Sequence, residues 1–195
     1  MVDFNPDEQF YKWVVKLNFS DSSFFTIWGT DKSDNDEDKF LVKAGKIILF
    51  SNLRSLESQL FNYKLWFFDK ENFDEWLERK QDFNKYAEID IQILRSFSMD
   101  ILLNKDQSFI LLDALNILQD FFIQVKDVNA EEIYSLKEIR DLKDYIYNNF
   151  FWSRDDSNDN IISLSDLNEG RIKVHLIELY RMFRDRCFLA GMDEF

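Results

Sequence analysis

The hydrophobic period of this chain changes once, close to Ser51, and no other feature constrains its fold as strongly. Before that point apolar residues recur at about every second position, and after it they recur every three or four positions. A period of two is typical of a half-buried β-strand, whereas a period near 3.6 is typical of an amphipathic helix. The order therefore predicts an α+β protein in which a sheet forms first and helices follow.

The first fifty residues predict an antiparallel meander of about four strands, at positions 11–19, 24–28, 40–42 and 46–50. In the first of these, alternate apolar residues from Tyr11 to Phe19 form a buried face. The opposite face carries two lysines, Lys12 and Lys16, and is predicted to lie mostly in solvent. A charged loop over residues 30–38 separates the second and third strands, and Gly45 can supply the positive φ that a tight turn requires.

Helical periods predict about five helices after the sheet. The first, capped by Ser51, carries leucines at a helical spacing, and the others begin near Asn72 or cover 108–126, 130–151 and 166–189. Residues 87–103 fit both a strand and a helix, and we favour the helix. No interior proline or low-complexity linker marks a boundary. We therefore expect a single domain over residues 1–195, in which the helical portion (51–195) packs against the sheet portion (1–50).

The chain is strongly acidic, with 37 acidic and 24 basic residues and a formal net charge of −13. Because 17% of its residues are aromatic, this charge belongs to a folded protein with a large core. Nucleic acids and anionic membrane surfaces require clustered lysine and arginine, so we expect neither as a partner. We expect a cationic protein instead. The sequence leaves open the alternative that the charge serves solubility alone.

Side chains that perform enzyme chemistry are scarce, since the chain has one histidine, one cysteine and four glycines. His175 and Cys187 both lie beside the apolar stripe of the last predicted helix, where a structural role is the simpler interpretation. Glycine patterns for nucleotides are absent, and a zinc site needs several cysteine or histidine ligands. We therefore expect a protein that is not an enzyme and has no cofactor. A lone cysteine excludes an internal disulfide, which agrees with a cytoplasmic location.

Two acidic loops are the candidate partner-binding sites, because carboxylates beside aromatic anchors are typical of protein-binding surfaces. The first loop lies between the second and third predicted strands, and the second loop follows Trp152 between two predicted helices. The candidate contact residues are Asp34, Asp36, Glu37, Asp38, Trp152, Asp155, Asp156 and Asp159.

The second loop also permits an alternative function, that of a calcium-responsive or scaffold interaction protein. Residues 155–166 place oxygen-bearing side chains at positions one, three, five, nine and twelve, as an EF-hand loop does. Asn160 replaces the usual glycine, and Asp166 replaces the long glutamate that binds through both oxygens. The alternative, which we favour, is a polar loop in which Ser163 or Ser165 caps the next helix.

The order of segments in about the first sixty residues is a further signal. Its parts are Phe19-Ser20-Asp21-Ser22-Ser23-Phe24, Trp28, a charged loop, Phe40-Leu41-Val42, and Gly45-Lys46-Ile47-Ile48-Leu49-Phe50-Ser51 before a leucine-striped helix. This order resembles small immunity proteins that accompany bacterial contact-dependent and polymorphic toxins. The resemblance implies an acidic, non-catalytic protein that blocks a basic nuclease toxin by docking on it. It implies no particular binding residue, because these proteins diverge widely in fold.

Overall fold

The computed structural model describes residues 6–62, 69–80, 82–151 and 162–190. The protein is an α+β fold with an N-terminal strand region and C-terminal helices, so the predicted fold class is confirmed. The chain divides into two compact units, one of Met1–Ile89 with Arg186–Phe195 and one of Asp90–Asp185. The single-domain interpretation stays a prediction, and each unit is described in turn. Within the described segments, no helix is both long enough and apolar enough to cross a bilayer.

The first unit contains two sheets. Its elements are α1 (Pro6–Phe10), β1 (Lys12–Asn18), β2 (Ser23–Asp31), β3 (Glu37–Phe40), β4 (Val42–Lys43), β5 (Lys46–Leu49), α2 (Leu53–Asn62), α3 (Lys70–Arg79), β6 (Ala87–Asp90) and β7 (Cys187–Leu189). The larger sheet has the order β3-β2-β1-β6, and the smaller has the order β4-β5-β7. The predicted early strands all form: β1, β2 and β3 make an antiparallel meander in the larger sheet, and β4 and β5 pair antiparallel in the smaller one.

Two strands lie outside the predicted sheet portion. Residues 87–90, for which we favoured a helix, form the edge strand β6, while 91–94 and 99–103 form short 3-10 helices. The predicted last helix ends early, and β7 after it pairs in parallel with β5, so that Ile47 lies opposite Cys187. This pairing joins distant parts of the chain. A local hydrophobic period carries no information about such a contact.

Strand β1 is buried on both faces, contrary to the prediction of one solvent-facing side. Lys12 and Val14, which share the face predicted to be polar, are both 0% exposed. Val14 belongs to an apolar cluster to which α2 contributes Leu56 and α3 contributes Trp76. Because β1 lies between β2 and β6 and helices pack over this face, Lys12 and Val14 are removed from water, whereas Lys16 and Asn18 on the same face are half-buried.

The N-terminal end of α2 is capped by Asn52 and not by Ser51 as predicted. The Ser55 amide donates to the Asn52 side-chain oxygen at 2.8 Å, and the Leu56 amide donates to the Asn52 carbonyl at 3.1 Å. The position is therefore one residue later than expected. The chemistry is the same, because a short polar side chain satisfies an amide that the first helical turn leaves free.

The second unit is helical. Its α-helices are α4 (Lys105–Gln124), α5 (Val128–Ser135), α6 (Lys137–Ile146) and α7 (Glu169–Asp185). The predicted helix over 130–151 is broken at Leu136, whose extended backbone ends α5, and a π-helical turn over 147–151 follows α6. Helix α4 is buried on several sides, as its wide apolar arc predicts. Phe121 of α4 and Phe183 of α7 meet edge to face at 5.4 Å in the core.

Candidate functional site

The first acidic loop is an ordered hairpin turn between β2 and β3. Asp31 lies opposite Glu37 in the strand register, and the Glu37 amide donates to the Asp34 carbonyl at 3.1 Å. Between them Asn35 and Asp36 have φ values of 53° and 57°. Two consecutive positive φ values match a type I′ turn, whose twist fits a hairpin and which asparagine and aspartate tolerate. The turn therefore fixes the backbone positions of the residues that carry the exposed carboxylates.

A buried lysine holds the base of this hairpin together. The Lys39 side chain is 7% exposed, and its Nζ lies 2.9 Å from Asp31 Oδ2, 2.6 Å from Asp34 Oδ2 and 3.7 Å from Glu37 Oε2. Burial opposes the charged form of Lys39, but hydrogen bonds to Asp34 and Asp31 outweigh it and raise the pKa of Lys39. Burial likewise opposes ionisation of Asp31, yet hydrogen bonds from Ser33 and Lys39 lower the pKa of Asp31. The cluster is therefore charged and internally bonded.

The four candidate contact residues of this loop lie together but are not equivalent. The side chains of Asp34, Asp36 and Glu37 are 54%, 69% and 48% exposed. Asp38 is half-buried and accepts a hydrogen bond from the Thr30 hydroxyl at 2.7 Å. Residues 31–39 contain five carboxylates and two lysines, so an excess of negative charge persists after pairing. Asp34, Asp36 and Glu37 thus keep about half or more of their side chains in solvent while they pair with lysines of the same hairpin, whereas Asp38 is less exposed. All four stay predicted contact residues.

Tyr11 lies beside this turn, although its place in the alternating pattern predicted a buried ring. It is 46% exposed and has a φ of 54°. The Lys32 Nζ lies 3.8 Å from the centre of the Tyr11 ring and 3.6 Å from Asp36 Oδ1. The Tyr11 carbonyl accepts a hydrogen bond from the Thr30 amide at 2.9 Å. No signal in the sequence marks Tyr11 as exposed, because a left-handed residue ends the alternation and only the folded backbone reveals it.

A buried ion pair joins β1 to Asp69, the residue before α3, and the hairpin bonds to the same carboxylate. Lys12 Nζ lies 3.0 Å from Asp69 Oδ2, and the same oxygen accepts hydrogen bonds from the Lys32 amide at 2.9 Å and the Asn72 side chain at 3.0 Å. Burial lowers the pKa of Lys12, and the neighbouring Asp69 partly opposes this effect. The pair escaped prediction because the two residues are far apart in sequence and Lys12 was assigned to solvent.

A cleft of about 470 Å³ lies where the hairpin meets the start of α3. Its lining residues are Lys32, Ser33, Asp69, Lys70, Glu71, Asn72 and Glu75. Asp69 is buried there, and Lys70 is paired with Asp74 at 2.6 Å. Glu71 and Glu75 are exposed carboxylates, so the cleft extends the acidic surface of the hairpin.

The candidate residues of the second acidic loop, Trp152, Asp155, Asp156 and Asp159, lie outside the described residues. The end of that loop is described. The Ser163 amide and hydroxyl both donate to Asp166 Oδ2 at 2.8 Å, which forms a capping box around a 3-10 turn and lowers the pKa of Asp166. Asn168, and neither serine, caps α7, since the Arg171 amide donates to its side-chain oxygen at 3.1 Å. The proposed twelfth calcium ligand therefore already has a structural role.

Two further reactive side chains, His175 and Cys187, are described, and His175 lines a cleft of about 630 Å³ in the second unit together with Glu138 and Arg171. His175 is half-buried on α7, and Cys187 is half-buried in β7 instead of on the predicted helical stripe. Over the described ranges, no group of three or more histidine, cysteine, aspartate or glutamate side chains is placed to hold a metal ion.

Comparison with known proteins supports the fold and goes no further. No protein-family model matches this chain, and no curated protein matches it. Among solved structures, it is similar to the C-terminal domain of SatS, crystallised in complex with bromine, with a TM-score of 0.64 and 14% identity. The similarity covers 97% of this chain and 98% of that chain. At such low identity the likeness defines an α+β fold and carries no activity across.

Proposed function

We propose that this protein is an acidic binding protein, and specifically an immunity protein that neutralises a cognate basic toxin, a nuclease, by covering its active site. The observation that supports the proposal most directly is the β2–β3 hairpin. It presents Asp34, Asp36 and Glu37 to solvent above a buried Lys39. An immunity protein of this kind needs neither a catalytic residue nor a cofactor, and we propose that it acts in the cytoplasm.

The hairpin suits the capture of a cationic partner for two physical reasons. Its excess negative charge, added to the net charge of −13, attracts a basic protein over a distance and raises the association rate. In addition, the type I′ turn and the Lys39 pairs order the carboxylates before binding, so less conformational entropy is lost in the complex. Tyr11 supplies an exposed aromatic contact beside them. Asp38, Trp152, Asp155, Asp156 and Asp159 stay predicted contacts of the same partner.

The direct test is co-expression with the product of the neighbouring gene, followed by affinity measurements at low and high ionic strength. We expect a complex that weakens as salt rises, because exposed charge pairs are screened. In the double variant Asp36→Asn/Glu37→Gln, we expect the association rate to fall about tenfold, since both substitutions remove steering charge. Asparagine at position 36 preserves the left-handed turn.

The matched control is Glu131→Gln/Glu132→Gln, which removes the same charge from exposed positions on α5 in the second unit. We expect its association rate to stay within about twofold of the wild-type value. Failure to form a complex, or a complex insensitive to both salt and the hairpin substitutions, would overturn the proposed function.

A further inference from the structure

Tyr11, Lys32 and Asp36 form a cation-binding arrangement in the first unit, which we call the Tyr11 site. The Lys32 ammonium lies over the Tyr11 ring, 3.8 Å from its centre, and 3.6 Å from an Asp36 oxygen. An aromatic face combined with a carboxylate is a recurrent receptor for ammonium and guanidinium groups. The chain therefore carries both a cation site and a cation of its own that fills it.

The backbone holds Tyr11 on the surface without help from Lys32. A φ of 54° is uncommon for a residue other than glycine, and here it turns the chain between α1 and β1. The Tyr11 carbonyl is fixed by the Thr30 amide, and it lies so close to Gly29 that a Cβ there would collide with it. The fold consequently sets the position of the Tyr11 backbone, and the ring meets Trp13 edge to face at 6.4 Å independently of Lys32.

The Lys32 ammonium, in contrast, can leave the site without disturbing the fold. Its side chain is 38% exposed, and its partner Asp36 is more exposed still, so the pair contributes little to stability. The backbone of Lys32 is anchored separately, through its amide to Asp69 Oδ2 at 2.9 Å. Lys32 also lines the cleft that contains Glu71 and Glu75, which offer alternative carboxylates to the displaced ammonium.

We propose that the Tyr11 site receives an arginine side chain of the cationic partner, and that Lys32 occupies this place until the partner displaces it. Arginine is favoured over lysine because its planar guanidinium stacks on a tyrosine ring and can pair with a carboxylate through two hydrogen bonds. The source of the arginine rests on the proposed function, whereas the chemistry of the site rests on Tyr11, Lys32 and Asp36 alone.

The test uses the full chain and a short oligo-arginine peptide, with binding measured by titration calorimetry. Lys32→Ala removes the lysine ammonium from the Tyr11 site and should lower the dissociation constant of the peptide about fivefold. The matched control Lys43→Ala removes the same charge from an exposed position in β4, and we expect a change below about twofold. Thermal unfolding of both variants confirms that each is folded.

The ring is tested in the Lys32→Ala background. Tyr11→Leu should abolish the gain in affinity, and Tyr11→Phe should retain most of it, because phenylalanine keeps the aromatic face. Equal gains in Lys32→Ala and Lys43→Ala, or a gain that survives Tyr11→Leu, would show that net charge alone acts and would overturn the Tyr11 site. Those results would leave the salt-dependent complex of the proposed function standing. Conversely, a gain specific to Lys32→Ala without any toxin complex would refute only the proposed function.

Discussion

Lys12 and Lys39, like Lys80, are buried lysines of the first unit that pair with a buried aspartate. Lys12 and Lys39 differ in the balance between burial and pairing. Burial dominates at Lys12 and lowers its pKa, whereas hydrogen bonds to carboxylates dominate at Lys39 and raise its pKa. The sequence revealed neither, because Lys12 was assigned to the solvent face of an alternating strand and Lys39 lies between a charged loop and the next predicted strand. Pairing with an aspartate is what makes burial tolerable.

We predict that Lys12→Met destabilises the protein by about 3–5 kcal/mol, since it leaves the buried Asp69 carboxylate without its counter-charge. The double variant Lys12→Met/Asp69→Asn should recover much of this loss, because no unpaired charge is then buried and asparagine can still accept the Lys32 amide. Urea unfolding of the three proteins measures the difference. A double variant less stable than Lys12→Met would contradict this account.

At the scale of elements, local patterns were reliable where neighbouring residues decide the outcome. The helix near Asn72, the wide apolar arc of α4 and the strands β1 and β2 were all predicted and are confirmed. The errors lie at the ends of elements. Leu136 breaks a continuous helical stripe, and the favoured helix over 87–103 begins with a strand. Over residues 87–103 the apolar positions satisfy both periods, and packing in the fold selects between them. The stripe over 130–151 is helical throughout, and nothing in its period marks the break at Leu136.

The loop over residues 155–166 has the spacing of oxygen-bearing side chains that an EF-hand loop uses for calcium. We predict that added calcium leaves the melting temperature unchanged, because Asp166 already accepts the Ser163 amide and hydroxyl at 2.8 Å. Differential scanning calorimetry with and without excess calcium, and with magnesium as a control, measures this. A calcium-specific rise in melting temperature would restore the metal-binding interpretation.

At the scale of the whole molecule, the chain returns to its first unit after the helices. Strand β7 pairs in parallel with β5, and the Ala190 amide donates to the Leu49 carbonyl at 2.8 Å. Phe188 of β7 is half-buried against the apolar cluster of this unit. The contact joins segments about 140 positions apart, and such long loops cost closure entropy before they give any stabilisation.

We predict that Phe188→Ala lowers the free energy of unfolding by about 1–2 kcal/mol. This is less than the loss expected on replacing a fully buried phenylalanine with alanine, because the Phe188 ring is only partly removed from water. The control is Leu103→Ala in the second unit, which is 68% exposed and should change stability by no more than about 0.5 kcal/mol. Urea unfolding followed by tryptophan fluorescence compares the two. Equal effects would mean that β7 contributes nothing to the core.

The sequence by itself determined the fold class, the acidic character and the position of one candidate loop, because hydrophobic period, composition and charge are local or additive properties. The tertiary structure alone decided that Lys12 and Lys39 are buried, that β7 joins β5, and that Tyr11 lies beside Asp36. Apart from the Lys39 pairs, which lie within one hairpin, these features depend on contacts between residues distant in sequence. The buried lysines are tolerated because each has a specific partner. The hairpin shows both contributions. Its carboxylates are evident in the sequence, but the buried Lys39 that holds them in place is evident only in the structure.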